Sequence, residues 1–191
     1  MTKGIDVSEN NGYIDWQAVA DAGIRFAIVR CSYGQTGVDE NFLANVEGAH
    51  AVGIKCGAYH YGYALNPEQA VREAQNCKEA IENAGVLLEL PVFYDMEDAD
   101  GYKRRHGFDF SAENVTAICK AFLDGIKPLD CGVYASYSWL CDSLDWQSLG
   151  CAVWNAQWGG EDDLQGYMWQ FTDGLQIGGH SFDGDILYLD I

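Results

Sequence analysis

The stretch Leu90-Pro91-Val92-Phe93-Tyr94-Asp95-Met96-Glu97-Asp98 is an apolar run suited to a buried strand that ends abruptly in carboxylates. Side chains alternate along a strand, so Asp95 and Glu97 share one face and Met96 takes the other. At about 3.3 Å rise per residue their Cα atoms lie roughly 6.6 Å apart. Two carboxyl groups at that spacing can share one substrate atom. Their like charges push one pKa upward, which keeps a carboxylic acid protonated for acid catalysis. A solvated acidic turn is the alternative, and the surrounding sequence weighs against it.

Strand-like and helix-like segments alternate on either side of this stretch. Residues 5–7, 26–30, 56–61, 90–95 and 131–135 read as strands. Between them Asp15, Asp39, Asn66 and Ser111 are placed to cap helices, with Pro67 in a first turn and Gly23, Gly53 and Gly85 beyond helix ends. A short helix follows near Ser138 to Cys141. Residues 152–156, 167–171 and 185–189 then read as strands joined by connections too polar and Gly-rich for helices. Five βα units followed by three strands predict an α/β fold, a barrel of the TIM type whose last part has lost its helices. A helix-free return from Phe171 to Asp183 suits an antiparallel last strand. An open doubly wound sheet is the alternative, but no Gly-rich phosphate turn follows the first strand. No repeat or linker divides the chain, so residues 1–191 read as a single domain.

In such a barrel, chemistry collects at the C-terminal rim of the strands. Asp6 ends the first strand, and Asp95 and Glu97 end the fourth. An antiparallel last strand begins at the same rim and brings Asp183 there, near Asp6. Four carboxylates on one rim each need water or a partner. Together they fit glycoside hydrolysis, which needs a proton for the leaving oxygen and negative charge beside an oxocarbenium-like centre. Tyr61, Tyr94, Tyr134, Trp154 and Trp169 lie near the rim, where they serve either sugar stacking or core packing.

Composition narrows the partners. The net charge is −18, and no cluster of Lys and Arg offers a surface to nucleic acid or to an anionic membrane. The only basic run is Lys103-Arg104-Arg105, directly after the acidic stretch. Seven scattered Cys make an odd count that suits buried thiols better than a disulfide framework. Cys56 and His60 have a metal-like spacing without a second ligand pair, so no metal and no other cofactor is expected. No apolar run reaches the roughly 18 residues of a membrane span. Lys3 to Val7 enters a strand at once, so the expectation is a protein made in the cytoplasm without a signal peptide.

At these residues the chain resembles the family-25 glycoside hydrolases, the lysozymes or muramidases of Chalaropsis type. Gly4-Ile5-Asp6-Val7-Ser8 with Ile14-Asp15-Trp16 is similar to the family's opening motif, and Ala58-Tyr59-His60-Tyr61 to its third-strand motif. Tyr94-Asp95-Met96-Glu97 matches its DxE signature, Trp169-Gln170-Phe171 its WQ-aromatic strand, and Phe182-Asp183-Gly184-Asp185 its terminal D-x-N-like element. The resemblance implies a flattened barrel that cleaves the β-1,4 bond between N-acetylmuramic acid and N-acetylglucosamine in bacterial peptidoglycan. It implies Glu97 as general acid/base and Asp95 as the group that steadies the substrate's acetamido group or the developing cation. Asp6 and Asp183 would complete the acidic ring. Asp185 stands where Asn is more usual, which leaves Asp183 and Asp185 as alternatives for the last carboxylate. Retention by substrate assistance and inversion both stay open, as do a chitinase-like or N-acetylglucosaminidase barrel and a barrel that binds glycan without cutting it. The expected setting is the cell wall, reached after release by phage lysis or by export of an autolysin, with no separate wall-binding domain.

Overall fold

Eight strands close on themselves in this computed structural model, which describes residues 1–191. In chain order they are β1 (Thr2–Val7), β2 (Phe26–Tyr33), β4 (Lys55–Tyr61), β5 (Val92–Asp95), β6 (Cys131–Ser136), β7 (Ala152–Ala156), β8 (Met168–Ile177) and β9 (His180–Leu187). A ninth, β3 (Gly37–Val38), is a two-residue edge paired antiparallel to β2. From β1 to β8 the barrel neighbours run parallel, while β9 runs antiparallel to both β8 and β1 and closes the ring. The flattened α/β barrel and the reversed last strand are therefore as the sequence predicts.

The limits of the last strand differ from expectation. β9 starts at His180 rather than Asp185, and β8 continues to Ile177. The connection between them is the tight turn Gly178-Gly179, with φ of 59° and 85°, a conformation glycine adopts without steric cost. A turn that short can only return a chain antiparallel. The segment 172–176 is polar because that part of the hairpin is largely exposed, and the sequence therefore reads it as loop.

Helices cover the barrel between its parallel strands: α1 (Trp16–Asp21), α2 (Phe42–Ala51), α3 (Pro67–Ala84), α4 (Tyr102–Arg105), α5 (Ala112–Ile126), α6 (Tyr137–Asp142) and α7 (Trp146–Leu149). Asp15, Asn66 and Ser111 cap α1, α3 and α5 as expected, each accepting a main-chain N–H three residues on at 3.0–3.3 Å. Asp39 does not cap α2; Asn41 occupies that position without a side-chain cap bond. Asp39 is instead buried and accepts the Arg30 Nε–H at 2.8 Å and the Glu9 N–H at 2.9 Å. The four-residue helices α4 and α7, and β3, are too short to leave a periodic signal. No helix is long and apolar enough to cross a membrane.

Strand alternation divides the core in two. Outward residues such as Ile5, Val29, Ala58, Tyr94 and Val133 share one cluster with the buried faces of α1, α2, α3 and α5. Inward residues fill the barrel with Phe26, Ile28, Phe93, Tyr134, Trp154, Met168 and Leu187. A narrow interior cannot take large side chains from every strand. Gly4 supplies the missing volume opposite Phe26: a Cβ there would collide with the Phe26 ring. Gly132 does the same for Phe93, whose ring would lie 2.7 Å from an added Cβ. Gly4→Ala should therefore overpack the barrel floor and lower unfolding stability by about 1–3 kcal/mol. Chemical denaturation of the two proteins measures it.

Candidate active site

The same inward rows that carry the apolar floor carry the acids at the rim. Asp6 leaves β1, Asp95 ends β5, and Asp183 lies within β9 directly paired with Asp6. Glu97 follows two residues after Asp95 on the connection to α4. These four carboxylates line one cavity of about 300 Å³. Its wall is completed by Tyr59 and Tyr61 from β4, Tyr134 from β6, Trp154 from β7 and Gln170 from β8. A larger hollow of about 640 Å³ lies beside α6 and α7, but its carboxylates are Asp142, Asp145 and Asp163, none of them part of the strand-end ring.

Tyr134 and Trp154 stand where expected, the first within 9% of full burial and the second hydrogen-bonded at the cavity floor. Tyr61 is half-buried at the mouth. Beyond it the cavity opens into a groove lined by Arg30, Tyr33, Tyr61 and Tyr63. Tyr94 and Trp169 are corrections, because both sit on the outward parity of their strands. Tyr94 is fully buried, stacks on Phe122 at 4.3 Å and donates its hydroxyl to Glu73 at 2.8 Å. Trp169 donates its indole N–H to the Gln157 carbonyl at 2.7 Å, away from the acids. The inward member of that motif is Gln170. Its amide donates to Asp6 Oδ2 at 2.9 Å, and its carbonyl oxygen accepts from the Tyr134 hydroxyl and the Trp158 indole, both at 3.1 Å. A buried Gln amid apolar residues was the available signal for it.

Cys56 and His60 face outward into the helix layer. His60 Nδ1 pairs with the Ser32 hydroxyl at 2.8 Å, and the Cys56 thiol is 4.0 Å from the Ile54 carbonyl. No group of three or more His, Cys, Asp or Glu side chains is arranged to hold a metal ion.

Burial and mutual repulsion hold protons on the ring. Burial, then the neighbouring Asp183, push Asp6 up to about 8, while Gln170 opposes them. Burial, then Asp173, push Asp183 up to about 6. Asp95 is held well above the usual carboxylate range by burial and by Glu97. Burial also raises Glu97, with Lys103 opposing it and Asp100 and Asp183 adding to it. Asp95 Oδ1 is a buried acceptor with no partner in the protein.

Asp185 answers the question left by the terminal motif. It points inward one step below Asp183, is fully buried, and accepts the Trp154 indole N–H at 2.9 Å. Burial and the adjacent Asp6 hold it well above the usual carboxylate range, and its Oδ2 is buried without a partner in the protein. Asp183 is the cavity-lining carboxylate, and Asp185 lies buried beneath it, level with Gln170.

A carboxyl whose folded pKa is raised favours folding below the unfolded value, about 3.9, and that contribution is lost as pH rises toward the folded value. Wild-type stability should therefore fall from pH 4 to pH 8. Asp185→Asn removes one of these raised carboxyls and leaves a neutral amide of the same shape. Its decline should be shallower by up to about 1.4 kcal/mol per pH unit, with activity retained. Tm against pH for both proteins tests this.

The model for Glycosyl hydrolases family 25 matches residues 5–180. The autolytic lysozyme of Clostridium acetobutylicum is 26% identical over 96% of this chain and 54% of its own length. Lysozyme M1 of Streptomyces globisporus is 28% identical over 96% of this chain and 66% of its own. This chain thus spans between half and two thirds of those relatives. Among solved structures, the modular autolysin LytC of Streptococcus pneumoniae, in complex with a synthetic peptidoglycan ligand, superposes with a TM-score of 0.87 at 25% identity, over 98% of this chain and 46% of that one. With the strand-end acids, the reversed closing strand and a family model that takes in nearly the whole sequence, the chain belongs to glycosyl hydrolase family 25.

Proposed function

We propose that this chain is a muramidase, hydrolysing the β-1,4 bond between N-acetylmuramic acid and N-acetylglucosamine in bacterial peptidoglycan. The observation that carries the reading is the pairing of Asp95 and Glu97 at the end of β5, inside an acid-lined cavity walled by aromatics. The names of the relatives, lysozymes and an autolysin solved with a peptidoglycan ligand, support the substrate. Residues 1–191 act as one catalytic unit, and its place of action is the cell wall.

Glu97 protonates the leaving glycosidic oxygen. Its raised pKa favours the protonated form that this step requires. Asp95 faces the reacting sugar with an unpartnered oxygen, suited to accept the acetamido N–H and steer that group's carbonyl oxygen toward the anomeric carbon. The acetamido oxygen attacks as the leaving group departs with the Glu97 proton. Water then opens the cyclic intermediate and returns its proton to Glu97. Asp6 and Asp183 shape the field on the opposite wall, and Tyr61, Tyr134 and Trp154 border the sugar site. This is a substrate-assisted route, a known exception to the two-carboxylate scheme.

Glu97→Gln should lose on the order of 10²–10⁴-fold in turnover of purified peptidoglycan, with the circular dichroism spectrum unchanged. Full activity in that variant would refute the role. Wild-type products should carry N-acetylmuramic acid at the reducing end. N-acetylglucosamine there would favour the glucosaminidase alternative, and no cleavage would favour glycan binding alone. Proton NMR of the first-formed product should show the β anomer; an initial α anomer would rule out net retention and with it substrate assistance.

A further inference from the structure

Lys103 is the only lysine withdrawn from solvent, 1% exposed, in a basic run whose other two members, Arg104 and Arg105, are exposed. Burying an ammonium is costly unless its donors are used and an opposite charge lies close. The donors are used here, and Asp95, Glu73, Asp98 and Glu97 favour the charge, although none of them forms an ion pair with Nζ and burial lowers the Lys103 pKa. Asp98 turns the chain by accepting the Lys103 N–H at 2.7 Å and the Arg104 N–H at 3.2 Å. Asp100 accepts the Tyr102 N–H at 2.9 Å. The turn aims Lys103 at the barrel, where Nζ donates to the main-chain carbonyl of Glu97 at 2.7 Å and to that of Gly62. Gly62 follows β4, and its own N–H donates to the Asp95 carbonyl at 3.0 Å. One side chain thus ties the exit of β4 to the peptide that carries Glu97. Lys103 does not line the cavity, so it acts from behind the carboxylates.

We infer that Lys103 is a positioning residue: it clamps the Glu97 peptide to the end of β4 and sets its ammonium behind Asp95 and Glu97. The charges around it come from every side. Asp95 faces it from β5, Glu97 from the connection that follows, Glu73 from α3, and Asp98 from its own turn. Across the cavity Asp6 and Asp183 repel the pair, Asp100 repels Glu97, and Arg30 on β2 relieves Asp95. Without Lys103 the pair would face this acid surplus with Arg30 as the remaining nearby cation. Each carboxyl would then hold its proton to higher pH.

The role in turnover rests on Glu97 being the proton donor, but the electrostatic part can be read without substrate. Carbon-13 NMR titration of the Asp95 and Glu97 carboxyls compares wild type with Lys103→Gln and Lys103→Met. The Gln amide can still donate to the Glu97 carbonyl but carries no charge, and Met offers neither. Both carboxyls should titrate about one pH unit or more higher in both variants. On peptidoglycan, kcat should fall about tenfold or more with KM nearly unchanged, more in Met than in Gln, and both limbs of the pH profile should move to higher pH. A purely structural lysine would lower Tm and leave the titrations in place. Should the Met variant fail to fold, the Gln variant carries the test. Unmoved carboxyl titrations in a folded variant overturn the inference, whatever the activity. A wild-type protein that leaves peptidoglycan intact would instead overturn the proposed function, and the titrations would still decide the part played by Lys103.

Discussion

Asp6 and Asp183 face each other across β1 and β9, a pairing that exists only because β9 runs backward. A parallel eighth strand would deliver its C-terminal end to the rim, and the residues at its start would lie at the opposite mouth of the barrel. Here the Gly178-Gly179 turn reverses the chain without a helix, so the beginning of β9 arrives at the rim. Closure of the barrel and completion of the acid ring are one event. The register then fixes the vertical order: Asp183 level with Asp6, Asp185 one inward step below it and level with Gln170.

Crowding acids in this way works against folding, and the neighbouring residues show how the cost is met. Gln170 donates an N–H to Asp6, and Trp154 donates one to Asp185. Lys103 and Arg30 bring positive charge from opposite sides, with Arg30 itself held by Asp39 and Glu9 at 2.8 and 2.9 Å. Two buried acid oxygens have no partner in the protein, Asp95 Oδ1 and Asp185 Oδ2. Of the two residues only Asp95 lines the cavity, so its oxygen is the one a ligand can reach.

Much of this was legible in the sequence because it depends on parity and local chemistry. Asp95 and Glu97 share a face by strand alternation, three caps follow from side-chain type, and the reversed last strand follows from glycines where a helix should be. The failures share a cause. Tyr94 and Trp169 were grouped with the site by their nearness in sequence to Asp95 and Gln170, yet alternation puts each on the other side of its strand. Asp39 looked like a cap because its long-range partners, Glu9 and Arg30, cannot be seen locally. Lys103 stood out only as part of the basic run 103–105, since nothing in a basic tripeptide tells which member a turn will bury. The polar half of the β8–β9 hairpin read as loop because exposed strands lack the apolar alternation that marks buried ones.

The unequal burial of the two catalytic candidates supports their division of labour. A general acid must exchange protons once per turnover, so it needs a path to substrate and water. A group that only steadies a charge or accepts an N–H gains strength from burial, because the low dielectric around it magnifies each interaction. Asp95 is 5% exposed and sits on the strand itself, held by the sheet. Glu97 lies two residues past the last ladder pair, partly exposed, with its main chain rather than its carboxyl tied to Lys103. A fixed peptide with its carboxyl facing the cavity suits the acid and base work proposed for Glu97. The stretch from Leu90 to Asp98 therefore passes from strand to connection at Met96, whose side chain is buried on the helix side.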